Sequence, residues 1–305
     1  MTLPSDIDSA IGFTLSERHA RGRIVRLGPV LNDVLSAHTY PPAVERLVAE
    51  ALVLAALLGS TLKQAGGQLT LQAQTEHGPV SLLVADYKDG QVRGYAQFDI
   101  DQLAELGDDP TLFGLFGKGY LAITFDQAIS DDTPNGGRYQ GIVPLEGESL
   151  AKAAEHYFSQ SEQIPSALQI ATGHGADGCT AAGILVQHLP EGEVGRERLH
   201  VRHDHPEWEE VRMLASTLTN DELLDPALSM QDIAWRLFND EGEIRVMEPV
   251  ALAKGCRCNI EHIRSVIARF GDEDRAEMAD EAGNINVDCA FCSRIFPVAL
   301  DSLPA

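Results

Sequence analysis

The sequence predicts an α+β fold: a mixed sheet-and-helix core over residues 1–190, a charged helical linker over 191–245 and a small four-cysteine module over 246–305. Three observations carry this reading. A long apolar helical repeat is followed by short β-prone runs divided by turn dipeptides, the pattern of helices beside an antiparallel-rich sheet. After Pro190 the composition becomes strongly charged and the apolar residues shrink to short helical clusters. Near the end, Cys256-Arg257-Cys258 is answered by Cys289-Ala290-Phe291-Cys292.

The elements follow in order. From Gly12 to Val30, the alternating Phe13 and Leu15 and then Arg23-Ile24-Val25-Arg26-Leu27 predict strands around a polar turn. Pro41-Pro42 opens a helix in which Val44, Leu47, Val48, Ala51, Leu52, Ala55 and Leu58 recur at helical spacing to Leu62. Gly66-Gly67 is expected to end it. Leu69 to Gln74, Val80 to Tyr87 and Val92 to Phe98 read as strands separated by His77-Gly78 and Asp89-Gly90, the second being a strong hairpin signal. A glycine-rich patch at Gly114 to Gly119 precedes two more strands, Leu121 to Ile129 and Tyr139 to Val143, around Pro134-Asn135-Gly136-Gly137. Ser149 can cap a helix through Phe158, and Ile164 to Ala171 with Gly183 to Gln187 give the last strands. In the linker, Thr219-x-x-Glu222 and Ser229-x-x-Asp232 are capping-box patterns. The second launches Ile233, Ala234, Leu237 and Phe238 along one face, with Trp235 beside the stripe. Helices this short are unstable alone and must dock on something.

Length and charge narrow the function classes. A chain of 305 residues fits two domains, or one large domain with an appendage. No apolar run approaches a membrane span; the best candidate, Ala49 to Gly59, sits inside the helical pattern. Met1 to Ile11 does not read as a signal peptide, so a cytoplasmic protein without membrane partners is expected. The formal net charge is −23, with 46 acidic against 23 basic residues. Nucleic-acid binding depends on cations that neutralise phosphates, so this balance argues against a nucleic-acid partner. It favours solubility instead and discourages self-association.

The C-x-C and C-x-x-C pairs each present two thiolates from one turn. Cys256, Cys258, Cys289 and Cys292 together form the four soft ligands of a tetrahedral zinc site. Two structural disulfides are the competing reading, disfavoured in a cytosolic chain that keeps its thiols reduced. His205-Pro206-Glu207 ahead of Cys289 imitates a zinc-deaminase layout. Asp288 stands where that motif needs proline, however, and Cys256 and Cys258 would have no role. His174 and Cys179 flank the glycine-rich stretch Gly173-His174-Gly175-Ala176-Asp177-Gly178, where a Cys/His nucleophilic pair is conceivable and a surface loop with a buried thiol is the plainer reading. Asp131-Asp132, Asp272-Glu273-Asp274 and Asp280-Glu281 read as solvated surface, whereas Lys254 and Arg257 favour thiolate at the first cysteine pair.

These residues resemble a known family. The C-x-C and C-x-x-C ending is similar to that of the Hsp33 redox-regulated chaperones. So are Arg93-Gly94-Tyr95-Ala96, the run Tyr139-Gln140-Gly141-Ile142-Val143-Pro144-Leu145-Glu146-Gly147, Glu155-His156-Tyr157-Phe158, Ser161-Glu162-Gln163-Ile164-Pro165, and Trp235-Arg236-Leu237-Phe238. The likeness covers the chain end to end. It departs at Ser293, where a glycine is common, and at Lys254-Gly255 in place of an aromatic and a lysine.

The resemblance implies a non-enzymatic, ATP-independent holdase, zinc-bound and inactive when reduced. It puts zinc on Cys256, Cys258, Cys289 and Cys292 and gives Cys179 no ligand role. Oxidation would form the disulfides Cys256–Cys258 and Cys289–Cys292, release zinc and unfold the linker. Unfolded or aggregation-prone client proteins would be the partners, and the resemblance admits a homodimer of the oxidised form. The physics is consistent with this: structural zinc contributes about 10–16 kcal/mol, whereas so small a module rarely gains more than about 3–5 kcal/mol from its own core. Two rival classes remain, a static zinc-ribbon binding module and a zinc-dependent hydrolase; four thiolates close the shell that the hydrolase needs open.

Overall fold

The computed structural model describes residues 6–62, 65–107, 109–128, 137–145, 147–189, 206–240 and 242–303. Several sequence features lie outside them: Asp131-Asp132, most of the turn before Gly137, Glu146, and the linker's first stretch through His205.

Strands β1 (Ser9–Leu15) and β2 (Ala20–Leu27) pair in unbroken antiparallel register, from Ser9 opposite Arg26 to Leu15 opposite Ala20. The strand reading stops short of Val30, because Pro29 opens helix α1 (Pro29–Leu35) at its first turn. Helix α2 (Pro42–Gly59) follows, again with proline at its start. It ends at Gly59 rather than running to Leu62, and Gly59 lies against the ring of Tyr87, where a Cβ would collide. The apolar residues of α2 do not form a single stripe. From Leu47 to Gly59 every residue is buried except Glu50, which is half-buried with its carboxyl turned in to the Ala151 N–H, so both flanks of the helix are covered.

The sheets supply those covers. Strands β3 (Gln68–Gln74), β4 (Val80–Lys88) and β5 (Gln91–Phe98) form the expected meander. Its Asp89-Gly90 turn has φ of 48° and 79°, the paired positive values of a two-residue hairpin. Helices α3 (Ile100–Ala104) and α4 (Leu112–Phe116) come next, so the first part of the glycine-rich patch is helical. Strands β6 (Tyr120–Gln127) and β7 (Gly137–Pro144) complete this side, and helix α5 (Leu150–Tyr157) is capped by Ser149 as its sequence predicts. Strands β8 (Ser166–Gly175) and β9 (Gly178–His188) are longer than expected. Their hairpin runs through the glycine-rich stretch and turns only at Ala176-Asp177, so most of the anticipated loop is strand.

Beyond residue 205 come α6 (Pro206–Ala215), α7 (Asn220–Leu224) and α8 (Met230–Phe238), the last two held by complete capping boxes. Three short strands follow, β10 (Ile244–Val246), β11 (Val250–Ala251) and β12 (Ala253–Lys254). The chain ends in α9 (Ile260–Ile267), α10 (Asp272–Met278) and the ribbon of β13 (Asn284–Asp288) and β14 (Ile295–Ala299). Asp272-Glu273-Asp274 form the first turn of α10, where acidic residues suit the helix dipole.

The fold is thus α+β, with α2 between two six-stranded sheets. One runs β10-β1-β2-β9-β8, with β11 also on β1; the other runs β12-β5-β4-β3-β6-β7. Val25, Leu27, Leu185 and Leu71, Leu83, Ile123 meet α2 from opposite sides in the main core. The first sheet has a second apolar face, bearing Ile11, Phe13, Leu15, Ile24, Ile184 and Val186. Helices α6 to α8 cover it with Trp208, Val211, Leu223, Met230, Ile233 and Phe238, and the rings of Phe13 and Phe238 stand 5.6 Å apart. This is the docking that the linker helices require, and the sequence did not reveal their partner. Arg26 is buried beneath them at 1% exposure. It donates to the carbonyl oxygens of Leu228 (2.9 Å) and Leu223 (3.0 Å) and pairs with Asp6 at 3.3 Å.

Candidate metal centre

The first cysteine pair leaves the end of β12. That strand lies parallel on β5, and the Gly255 N–H continues the ladder to the Val92 carbonyl at 2.9 Å. A Cβ at Gly255 would come within 2.4 Å of Gln91, so glycine permits the approach. The second pair occupies the tight turn between β13 and β14. There the Cys289 N–H donates to Arg294 O at 3.0 Å, and the N–H groups of Cys292 and Ser293 reach Cys289 O at 3.2 and 2.8 Å. Ser293 takes φ of 54°, the left-handed region, which explains why glycine is favoured at this position.

These two turns bring all four thiols together. Cys256 and Cys258 sulfurs stand 2.8 Å apart, Cys256 and Cys289 3.6 Å, and Cys258 and Cys292 3.6 Å. All four atoms lie within 4.8 Å of one another, and the cysteines are free thiols. Around an ion bound by sulfur at about 2.3 Å, tetrahedral corners are about 3.8 Å apart. The donor set and the two 3.6 Å spacings therefore fit a four-thiolate zinc site, while the Cys256–Cys258 pair would open by about 1 Å to take the ion. Among themselves the thiols are electrostatically unequal. Burial opposes ionisation, yet at Cys289 the hydrogen bond from Cys258 and the N–H groups of Cys292 and Phe291 outweigh it, drawing that thiol down to about 7. Burial and the neighbouring sulfurs push Cys258 up.

The residue between the first two cysteines fastens this cluster to the core. Arg257 donates to Gln68 Oε1 at 2.7 Å and to Asp86 Oδ2 at 2.9 Å. Asp86 is buried on β4 and also takes Arg93 at 2.6 Å and Thr70 at 2.8 Å. From the second pair, Phe291 packs edge-on against Tyr95, centroids 4.8 Å apart, and under the Arg93 guanidinium at 3.8 Å. Ser293 Oγ meets His38 Nδ1 at 3.2 Å, and Lys254 Nζ reaches the Asp33 carbonyl. The thiolate turns thus rest on the outer face of the second sheet. Lys254 and Arg257, singled out as cations near the thiols, serve in this docking.

Of the other candidates, Cys179 lies in β9, buried, and is not part of the four-cysteine cluster. His205 falls outside the described residues. Asp280 accepts from the N–H groups of Ala282 and Asn284 and from Asn286, which is a turn and not a site. The buried Asp86 was missed from sequence. No spacing rule links it to Arg257, 171 positions away.

A family model described as "Hsp33 protein" matches residues 8–298. Two relatives named "33 kDa chaperonin" are similar over nearly the whole chain. That of Caulobacter vibrioides is 39% identical over 297 residues, 95% of this chain and 94% of the relative. That of Yersinia pestis is 35% identical over 289 residues, 94% and 91% of the two. The solved structure of the 33 kDa chaperonin (heat shock protein 33 homolog) from Thermotoga maritima shares the fold, with a TM-score of 0.75 over 96% of each chain at 22% identity. Among the described residues no helix is long and apolar enough to cross a membrane.

Proposed function

The chain belongs to the Hsp33 family of chaperones, and we propose that it is a redox-regulated, ATP-independent holdase whose client-binding state is held off by zinc on Cys256, Cys258, Cys289 and Cys292. It acts as a chaperone on unfolded client proteins rather than as an enzyme. The observation that carries the reading is the convergence of four free thiols on one point, on a module fixed to the core by Arg257 and Phe291.

Bound zinc would supply a cross-link between Cys258 and Cys289, which are otherwise joined only by a long loop. Among the described residues, the module's own cluster buries three side chains, Ile267, Ile285 and Val298. A module with so little core depends on its metal. Oxidation within each zinc-bound pair joins two thiolates in one S–S bond and passes two electrons to the peroxide or hypochlorite, whose O–O or O–Cl bond breaks, and the metal loses those two ligands. A disulfide closing so small a loop restrains the unfolded chain only weakly, by about 1.5 kcal/mol on the chain-entropy model. Neither bridge ties Cys258 to Cys289, so the long loop is released.

The consequence reaches the linker through the chain. Strands β10 and β11 pair with β1 and β12 with β5, directly between α8 and Cys256. Unfolding of the module removes the anchor at one end of this strap. Helices α6 to α8 then leave the first sheet, which uncovers two complementary apolar surfaces, Ile233 and Phe238 on one and Phe13 and Ile24 on the other. In this division of labour the core spans about residues 1–190, the linker 191–245 and the switch 246–305. A homodimer of the oxidised form and a cytoplasmic location belong to the same reading.

An oxidant titration with peroxide or hypochlorite tests it. Zinc release and suppression of a client's aggregation should rise together, without nucleotide. Equal suppression by the reduced, zinc-loaded protein would contradict the proposal.

A further inference from the structure

The β8–β9 hairpin places His174 directly opposite Cys179 in its register, and the first turn of α2 brings Glu45 to the same point. Glu45 Oε1 and His174 Nδ1 are 3.1 Å apart, and one donor atom from each of the three residues lies within 4.8 Å of the others. They line a 280 Å³ cavity with Pro42, Arg46 and Thr172. We infer that Glu45, His174 and Cys179 form a second metal site, separate from the four-cysteine cluster, for a borderline divalent cation such as zinc or cobalt(II).

Four features support the assignment. The donors are one thiol, one imidazole and one carboxylate, a set that suits zinc and its neighbours. Thiolate and carboxylate together balance a divalent charge, with the imidazole neutral. Three protein ligands leave a fourth position for water, and the cavity has room for it. The site is also built rather than accidental in its backbone. Asn32 of α1 accepts from the Cys179 N–H and donates to the Cys179 carbonyl, both at 2.9 Å, which fixes the buried thiol. The nearby cation Arg46 is held by Asp109 at 3.0 Å. Cys179 is 3% exposed and the His174 side chain 67%, so an ion would enter from the solvent side and seat on the buried sulfur. Loading would tie the start of α2 to the hairpin that covers it.

The test uses the full-length, reduced, metal-stripped protein and cobalt(II) or zinc as the probe, with bound metal measured after equilibrium dialysis. The wild type should take two equivalents. His174→Ala and Glu45→Gln, both at solvent-accessible positions, should lose the second and keep the first, and Cys179→Ser should weaken the second. Cys256→Ser should keep the second while losing the first, so the two sites fail separately. A wild type that takes a single equivalent would overturn the inference, as would a second equivalent that survives unchanged in His174→Ala. In the cobalt form, the second equivalent should add absorption of one thiolate with nitrogen and oxygen donors to the four-thiolate spectrum. A second equivalent without a thiolate band would also overturn it.

Discussion

Helix α2 and the thiolate module bury apolar surface in opposite ways. Around α2, Val48, Leu52, Leu54 and Ala55 have no exposure at all, and two sheets close over them. In the module, Ile267, Ile285 and Val298 are the fully buried members of its cluster, while Val266, Phe270, Met278 and Ile295 stay exposed. Burying a large apolar side chain gains about 1.5–3 kcal/mol, against about 1–2 kcal/mol of backbone entropy for every residue ordered. The first region holds itself together. On the proposed reading the second requires cross-linking by zinc as well as docking, and so can be switched. The linker stands between them, well packed on its inner face, and the proposed switch has it stay attached only while its neighbours stay in place.

The sharpest way to break this contrast is to remove the module's cross-link. Cys256→Ser or a chelator should forfeit most of the about 10–16 kcal/mol expected of structural zinc, abolishing cooperative unfolding of residues 256–303 while the core transition is retained. Circular dichroism melts with metal content measured in parallel check this. Cys179→Ser should leave the four-thiolate metal in place.

The linker is tested next. Arg26→Met removes the donor to Leu223, Leu228 and Asp6 and should cost about 3–5 kcal/mol, the range for breaking a buried charged pair. The loss should fall on docking of α6 to α8, so the reduced, zinc-loaded variant should already suppress client aggregation. An inactive reduced variant with unchanged exchange in α8 would show that Arg26 is not a latch.

A third effect belongs to the core alone. Burial raises the carboxyl of Glu50 to about 7, against hydrogen bonds from the Ala151 and Leu150 N–H groups that lower it. Its ordinary value is 4.5, so the folded chain keeps a proton that the unfolded chain releases as pH rises. The stabilisation is complete below the lower value and lost as pH rises through the higher. Stability should therefore fall by about 3 kcal/mol across that window on account of this group. Glu50→Gln should flatten the core's pH dependence there, measured by denaturant midpoints, without affecting metal content. The smallest effect is at the cysteine turn. Ser293→Gly should relieve the left-handed backbone and stabilise the zinc-bound module by up to about 1 kcal/mol, seen as a small rise in chelator resistance.

Local chemistry was readable from the sequence wherever the signal was local. Asp89-Gly90 forms its hairpin, Ser149, Thr219 and Ser229 cap their helices, and the two cysteine pairs converge. What escaped depends on partners distant in the chain. The strands over 244–254 are too short to show a period, and their pairing with β1 and β5 is set by tertiary position. Asp86 reads as one polar residue in a strand, and only the fold makes it the acceptor for Arg93 and Arg257. Apolar spacing on α2 could not distinguish one covered face from two, and no local signal pairs Glu50 with the Ala151 N–H, 101 positions away. The second apolar face of β1 escaped differently: Phe13 and Leu15 alternate and so mark a buried face, but only the fold shows that α6 to α8 cover it.

Hydrogen exchange on the reduced, zinc-loaded protein and on the oxidised protein tests the central claim most directly. The account predicts that amides of α8, from Met230 to Phe238, lose protection on oxidation in step with the appearance of holdase activity. Those of α2, from Pro42 to Gly59, should keep theirs. If α8 stays protected while activity appears, the linker does not unfold, and clients must bind a surface already present on the folded core.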